Sequence, residues 1–312
     1  MSIVFNKSKE ISLDDETLRS DLLKIASGMD NVIALGRGDP DFHTPRHIVE
    51  AAKKALDENK HHYTPPTGLP ELRKSISKNF ELKYNLDYSE DEIIITAGVQ
   101  ESIALAMISL LKADDEVLIT SPRFTTYDLT VRMCNAKPVP VHTYEKDNFA
   151  LMPELIEQKI TKKTKLLVLV SPNNPTGAVT PPNNIKKIAQ IAIDNNLIII
   201  SDEIYADLIY DSHEHLSIGS LEKMKERTLT LNGFSKTYAM TGWRVGYIAG
   251  PKDIINKMTE IRHALSINSC TFSQYGALAA LDGPQEEINK MKNEYNERRK
   301  FSMKALSDIG FT

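Results

Sequence analysis

Asn232-Gly-Phe-Ser-Lys-Thr-Tyr-Ala-Met-Thr-Gly-Trp-Arg-Val-Gly-Tyr247 opens where the β-type run Thr228-Leu-Thr-Leu231 ends, which sets Lys236 just past the carboxyl end of a buried strand. Two further polar clusters stand in the same relation to apolar runs. Residues 166–170 lead into Ser171-Pro-Asn-Asn-Pro-Thr-Gly177, and residues 197–200 lead into Ser201-Asp-Glu-Ile-Tyr205. Open α/β sheets bind ligands outside the carboxyl ends of their strands. Three strand ends therefore offer an amide, a carboxylate and an amine to one crevice.

Outward from this stretch, apolar runs at 93–96, 117–120, 138–142, 165–170, 197–200, 228–231 and 244–249 alternate with helical periodicity, as at 99–111 and 184–194. That alternation predicts an α/β fold, a mostly parallel sheet covered by helices. Upstream, residues 1–30 read as a polar arm with an amphipathic helix near 16–27. The run 33–42 then breaks into a Gly/Asp/Pro loop, where glycine permits close backbone approach to a ligand and an ordinary turn serves equally well. Pro45 opens a helix with Ile48, Ala51, Ala52, Ala55 and Leu56 on its apolar face. A loop at 61–68 and a helix at 69–84 follow. Past Pro251 the chain reads as helical, ending in a long charged helix at 285–306. That helix stops at Gly310-Phe-Thr312, where a further strand would normally follow, so the expectation is a chain that ends within a domain.

The 312 residues are 41% hydrophobic and 26% charged, with a formal net charge of −4. This composition supports a full globular core and gives no electrostatic footprint for nucleic acid or an anionic membrane. Cys134 and Cys270 are too few for a disulfide framework, no basic-then-apolar leader opens the chain, and no apolar run approaches a membrane span, so the expected location is cytoplasmic.

A lysine amine becomes nucleophilic when desolvation or a neighbouring cation favours its neutral form, and Arg244 lies eight residues beyond Lys236. Asp202 comes one residue after the apolar run 197–200, so its carboxylate is expected to be buried and must find a partner. A salt bridge to some arginine and contact with a cationic ring nitrogen both satisfy that demand. The turn 96–101 stands between strand and helix, where helix-start amides make an anion site, although a plain β–α turn has the same look. Phe124, just beyond a strand end, can stack on a flat ring or simply fill the core. His61 and His62 are adjacent, which aims them apart, and no acidic or cysteine partner follows them; no metal site is expected.

Taken in order, Ser-Pro-Asn-Asn-Pro-Thr-Gly, Ser-Asp-Glu-Ile-Tyr and Gly-Phe-Ser-Lys…Gly-Trp-Arg-Val-Gly resemble the class I/II aminotransferases, pyridoxal-phosphate enzymes of fold type I, over nearly the whole chain from about Leu35. The resemblance implies a mostly parallel seven-stranded sheet flanked by helices, with an incomplete small domain. Residues 1–45 would be an arm and part of the small domain, 46–284 the large cofactor-binding domain, and 285–312 a bridging helix and the start of the carboxy-terminal small domain. It implies that Lys236 forms the internal aldimine and shuttles the substrate proton, and that Asp202 faces the pyridine nitrogen. Asn174 and Tyr205 would hold the phenolic oxygen, and Phe124 would stack on the ring. Gly98, Val99, Gln100 and Arg244 would hold the phosphate, with Gly38 beside the substrate. Tyr63 would reach the phosphate of a neighbouring subunit, implying a homodimer with shared sites. The implied reaction is ping-pong transfer of an amino group between an L-amino acid and a 2-oxo acid, with no nucleic acid or membrane partner.

Two departures from the family pattern stand out. Gly233 occupies the place of a phosphate-binding serine, which predicts weaker cofactor affinity. The family's arginine for the substrate α-carboxylate lies beyond residue 312, so weak or absent turnover is expected if these residues are the whole molecule, and the usual ping-pong transamination if they are part of a longer chain. A β-lyase or synthase on the same scaffold, and a catalytically inactive cofactor-binding relic, are the alternative readings.

Overall fold

The structure is a computed structural model, and it describes residues 38–311 together with Ile25, Gly28 and Met29. All of the helix expected at 16–27 except Ile25, and residues 33–37 of the run at 33–42, lie outside the described residues. Within residues 38–311 two helices come first, α1 (Arg46–Asp57) and α2 (Pro70–Tyr84). Ile48, Ala52 and Ala55 of α1 are buried as its periodicity predicts, but Leu56 falls at the edge of the stripe and is exposed. Strand and helix then alternate: β1 (Ile93–Thr96), α3 (Val99–Leu110), β2 (Glu116–Ser121), α4 (Thr126–Met133), β3 (Lys137–His142), α5 (Pro153–Glu157), β4 (Thr164–Val170), α6 (Pro182–Asp194), β5 (Ile198–Asp202), β6 (Thr228–Gly233) and β7 (Gly246–Ala249). Three helices close the chain, α7 (Lys252–Leu265), α8 (Thr271–Asp282) and α9 (Glu286–Asp308).

The strands form one seven-stranded sheet in the order β1-β7-β6-β5-β4-β2-β3. All pairings from β3 across to β6 are parallel, while β7 runs antiparallel to both β6 and β1. The expected α/β class is borne out, with one reversed strand. The run expected at 244–249 is shorter than read. Arg244 sits in the left-handed region (φ 52°, ψ 55°), so the strand starts only at Gly246.

Strand parity divides the core. Ile94, Val117, Ile119, Leu166, Val168, Ile200 and Leu229 face α3, α4 and α7 in one apolar cluster. Leu118, Leu167, Leu169 and Ile199 face α6 on the other side. Ile93, Ile95, Tyr247 and Ala249 point away from the first cluster and pack with α1, α2 and α8. Burial on both faces is what makes these strands continuous apolar runs rather than alternating ones. The edge strand β3 carries Pro138 and Pro140, residues that cannot donate to a further strand. The opposite edge, β1, is covered: Ile95 N donates to Thr67 O at 2.9 Å. The long α9 packs through Tyr295 edge-on against Phe42 and through Arg298 onto Asp41 at 2.9 Å.

Candidate active site

Because β4, β5 and β6 are parallel neighbours, the loops after them open at one end of the sheet, where the β1–α3 turn also arrives. There they enclose a cleft of about 570 Å³ lined by Gly38, Val99, Gln100, Phe124, Asn174, Asp202, Tyr205, Lys236 and Arg244. Residues read as one crevice from separate motifs are therefore brought together. Gly98 lies directly behind this lining. Tyr63 does not line the cleft of its own chain and is 78% exposed.

Asp202 ends β5 and, by strand parity, points to the opposite face from Glu203. Its carboxylate is buried, accepting from Tyr127 Oη at 2.5 Å and from Ile204 N at 3.1 Å. Burial pushes its pKa up to about 6, with the two hydrogen bonds opposing and Glu203 adding to the rise. No cation forms a salt bridge with it among the described residues. The salt-bridge alternative is not realised there, and a buried carboxyl faces the cleft with capacity for a cationic partner. Burial and the Asp202 charge raise the Tyr127 phenol well above its usual range, so Tyr127 stays a donor. Sequence reading missed Tyr127; its only signal was membership of the run that leaves β2.

Glu203 is locked on the other face. Ser201 Oγ and Ser217 Oγ donate to its Oε1 at 2.8 and 2.6 Å, and His215 Nε2 lies 2.9 Å from Oε2. Burial lowers the His215 pKa, but the Glu203 charge and hydrogen bond outweigh it and the net shift is upward. The anchor fixes the strand end from which Asp202 and Tyr205 project. Tyr205 hydrogen-bonds Asn174; burial and Asp202 raise its phenol pKa while that bond opposes the rise.

Lys236 follows the end of β6. Its Nζ donates to Gly38 O at 2.5 Å and lies 5.9 Å from the centre of the Tyr205 ring. Thr241 Oγ1 donates to Asp39 Oδ1 at 2.6 Å, so the loop at 38–39 is tied to the lysine segment at two points.

The anion end is built by close backbone approach. Gly98 (φ 85°, ψ 167°) precedes the first turn of α3, and a Cβ there would lie 2.7 Å from Arg244 Nη2. Only glycine leaves that guanidinium its space. Arg244 donates to Thr241 O and Ala97 O, each at 3.0 Å, which aims the fork across the helix start. The amides of Val99 and Gln100 fall in a first turn that has no intrahelical acceptors. Helix-start amides beside a guanidinium suit a phosphate; a buried carboxyl, a tyrosine–asparagine pair, a flat aromatic and an amine suit a phosphorylated pyridine aldehyde. Gly233 also has a steric reason. A Cβ there would sit 3.0 Å from Gly246 Cα and 3.3 Å from Val245 O, leaving little room for a serine.

Comparison with known proteins matches residues 30–312 to the family described as aminotransferase class I and II. An aspartate aminotransferase of Pyrococcus abyssi is 43% identical over 93% of this chain and 75% of its own length. Aromatic-amino-acid aminotransferase 2 of Thermococcus litoralis is 41% identical with the same coverage. Among solved structures, the Thermus thermophilus aspartate aminotransferase with maleate superposes with a TM-score of 0.91 at 35% identity, covering 97% of this chain and 79% of that one.

Proposed function

The chain belongs to the class I and II aminotransferases, and from that premise we propose a role for each residue of the cleft. The enzyme is pyridoxal-phosphate-dependent and moves an amino group between an amino acid and a 2-oxo acid. The observation that carries the assignment of roles is the buried Asp202 carboxyl facing the same cleft as Lys236 Nζ, with Arg244 across the α3 start. Arg244 and the first amides of α3, behind Gly98, hold the phosphate. Asp202, oriented by Tyr127, keeps the ring nitrogen protonated. Asn174 and Tyr205 hold the phenolic oxygen, and Phe124 lies against the ring. Lys236 would hold the cofactor through Nζ and would carry the proton at the substrate α-carbon, beside the Gly38 backbone. When bound, the cofactor supplies an electron sink for the carbanion formed at that carbon.

Tyr63 belongs to a second copy's site in this reading. Its loop is held outward by Thr271 Oγ1 on His62 O at 2.6 Å, next to the partly exposed Phe272. A homodimer with shared sites would cover that apolar surface. Cys134 and Cys270 are both free, which favours a reducing compartment such as the cytoplasm. The relatives are named for aspartate and for aromatic amino acids, so both classes are candidate donors.

The test is the visible absorption of the protein with pyridoxal phosphate, before and after adding aspartate, phenylalanine and tyrosine, with Lys236→Ala alongside. A long-wavelength band that requires Lys236 and shifts with one class of amino acid is expected. The same band in Lys236→Ala would overturn the assignment of the lysine.

A further inference from the structure

We propose that Arg262, a buried residue of α7 outside the cleft, is a positioning residue that joins the two phosphate-binding segments to each other; the inference rests on the cofactor reading above. Its side chain is fully buried. Nη1 donates to Pro66 O at 2.7 Å, on the loop that carries Tyr63, and also to Ile95 O of β1. Nη2 donates to Ser269 Oγ at 2.5 Å, and Ser269 Oγ reaches Ile95 O at 3.3 Å. Nε lies 3.7 Å from Glu101 Oε1 with no hydrogen-bond partner of its own.

Glu101 completes the link. It stands in the first turn of α3, where its Oε2 accepts from Ala97 N at 2.5 Å and its Oε1 accepts from Ser266 Oγ at 3.0 Å. Ala97 O is in turn an acceptor for Arg244. The guanidinium is thus joined, through its ion pair with Glu101, to the turn at 97–100 and, through its hydrogen bond to Pro66, to the Tyr63 loop. Around it the α7–α8 junction repeats the grip: Asn268 Nδ2 and Gln274 Nε2 donate to Thr64 Oγ1 at 3.0 and 3.1 Å. A planar fork with several fixed donors can hold two backbone carbonyls and a hydroxyl at once, which a lysine ammonium at the same place cannot reproduce.

A charge whose one carboxylate partner among the described residues lies 3.7 Å away is an unexpected choice for a fully buried position unless its geometry is used. The chemistry it controls is recognition of the phosphate, which the turn at 97–100 serves in its own chain and Tyr63 serves in the partner copy.

The experiment titrates pyridoxal phosphate and pyridoxal, which lacks the phosphate, into wild type, Arg262→Lys and Arg244→Gln, following absorbance. Wild type is expected to prefer the phosphorylated form at least 100-fold, and Arg244→Gln to lose most of that preference. Arg262→Lys is expected to cut the preference about tenfold or more while pyridoxal affinity stays within twofold. Equal weakening of both ligands, or an unchanged ratio, would reduce Arg262 to a fold-stabilising role and overturn the proposal. A wild type with no preference, or an Arg244→Gln variant that keeps it, would instead overturn the cofactor reading. If Arg262→Lys does not fold, Glu101→Gln decides: at least a threefold fall in the same ratio is expected, and no fall refutes the link.

Discussion

Asp202 carries the sharpest residue-scale consequence. Its folded pKa of about 6 lies above the ordinary carboxyl value of 3.8, because burial outweighs the hydrogen bonds from Tyr127 and Ile204. The folded state therefore holds this proton more tightly than the unfolded state between those values. Its contribution favours folding below about pH 4 and is lost as pH rises towards 6, by on the order of 3 kcal/mol. In urea melts of the cofactor-free protein, Asp202→Asn should gain on wild type as pH rises through 4 to 6 and hold level above it. A difference that stays constant with pH would contradict the assignment. With pyridoxal phosphate bound, the ionised carboxylate gains a cationic neighbour, so the wild type should be stabilised by the cofactor at pH 7 far more than Asp202→Asn. Asp202 itself was legible in sequence as a polar residue ending an apolar run. Tyr127 was not, because nothing local to residues 126–133 says which strand end its hydroxyl will meet.

At the scale of elements, the cleft depends on how closely β7 and the β1–α3 turn approach β6. Gly233, Gly246 and Gly98 meet backbone to backbone: a Cβ on Gly246 would lie 2.9 Å from Gly98 Cα, and one on Gly233 3.0 Å from Gly246 Cα. Gly233→Ser, which restores the family's phosphate-binding serine on paper, is expected to destabilise the fold by about 1–3 kcal/mol through overpacking. It should also weaken the binding of pyridoxal phosphate. A variant with wild-type thermal stability and tighter cofactor binding would show that the strands can part to admit the side chain. The sequence identified all seven strand runs, but it read the last as starting at Arg244. The left-handed conformation of Arg244, which costs a non-glycine residue about 1 kcal/mol, is imposed by the turn that aims the guanidinium at Ala97 O and Thr241 O.

On the scale of the whole molecule, the prediction concerns the proposed second copy. If Tyr63 completes a partner's site, Lys236→Ala and Tyr63→Ala fail for different reasons and complement each other. Each variant alone should lack a tight, lysine-dependent cofactor band, and co-refolding the two should restore it in the hybrid fraction, which holds one intact site. No recovery would mean that Tyr63 acts within its own chain or not at all. Sequence alone determined the α/β class, the order of its elements and the three polar strand ends that meet in the cleft, since apolar periodicity and the polar clusters at strand ends are properties of adjacent residues. The places of Gly38, Phe124 and Arg244 came only with the resemblance to the family. Only the tertiary structure decided that β7 runs against its neighbours, which sets Arg244 on a carbonyl 147 residues away. The same is true of Tyr127 beneath Asp202 and of Arg262 between two distant loops. Those choices depend on which surfaces bury one another best across the whole chain; periodicity records that a face is buried, not which distant segment covers it.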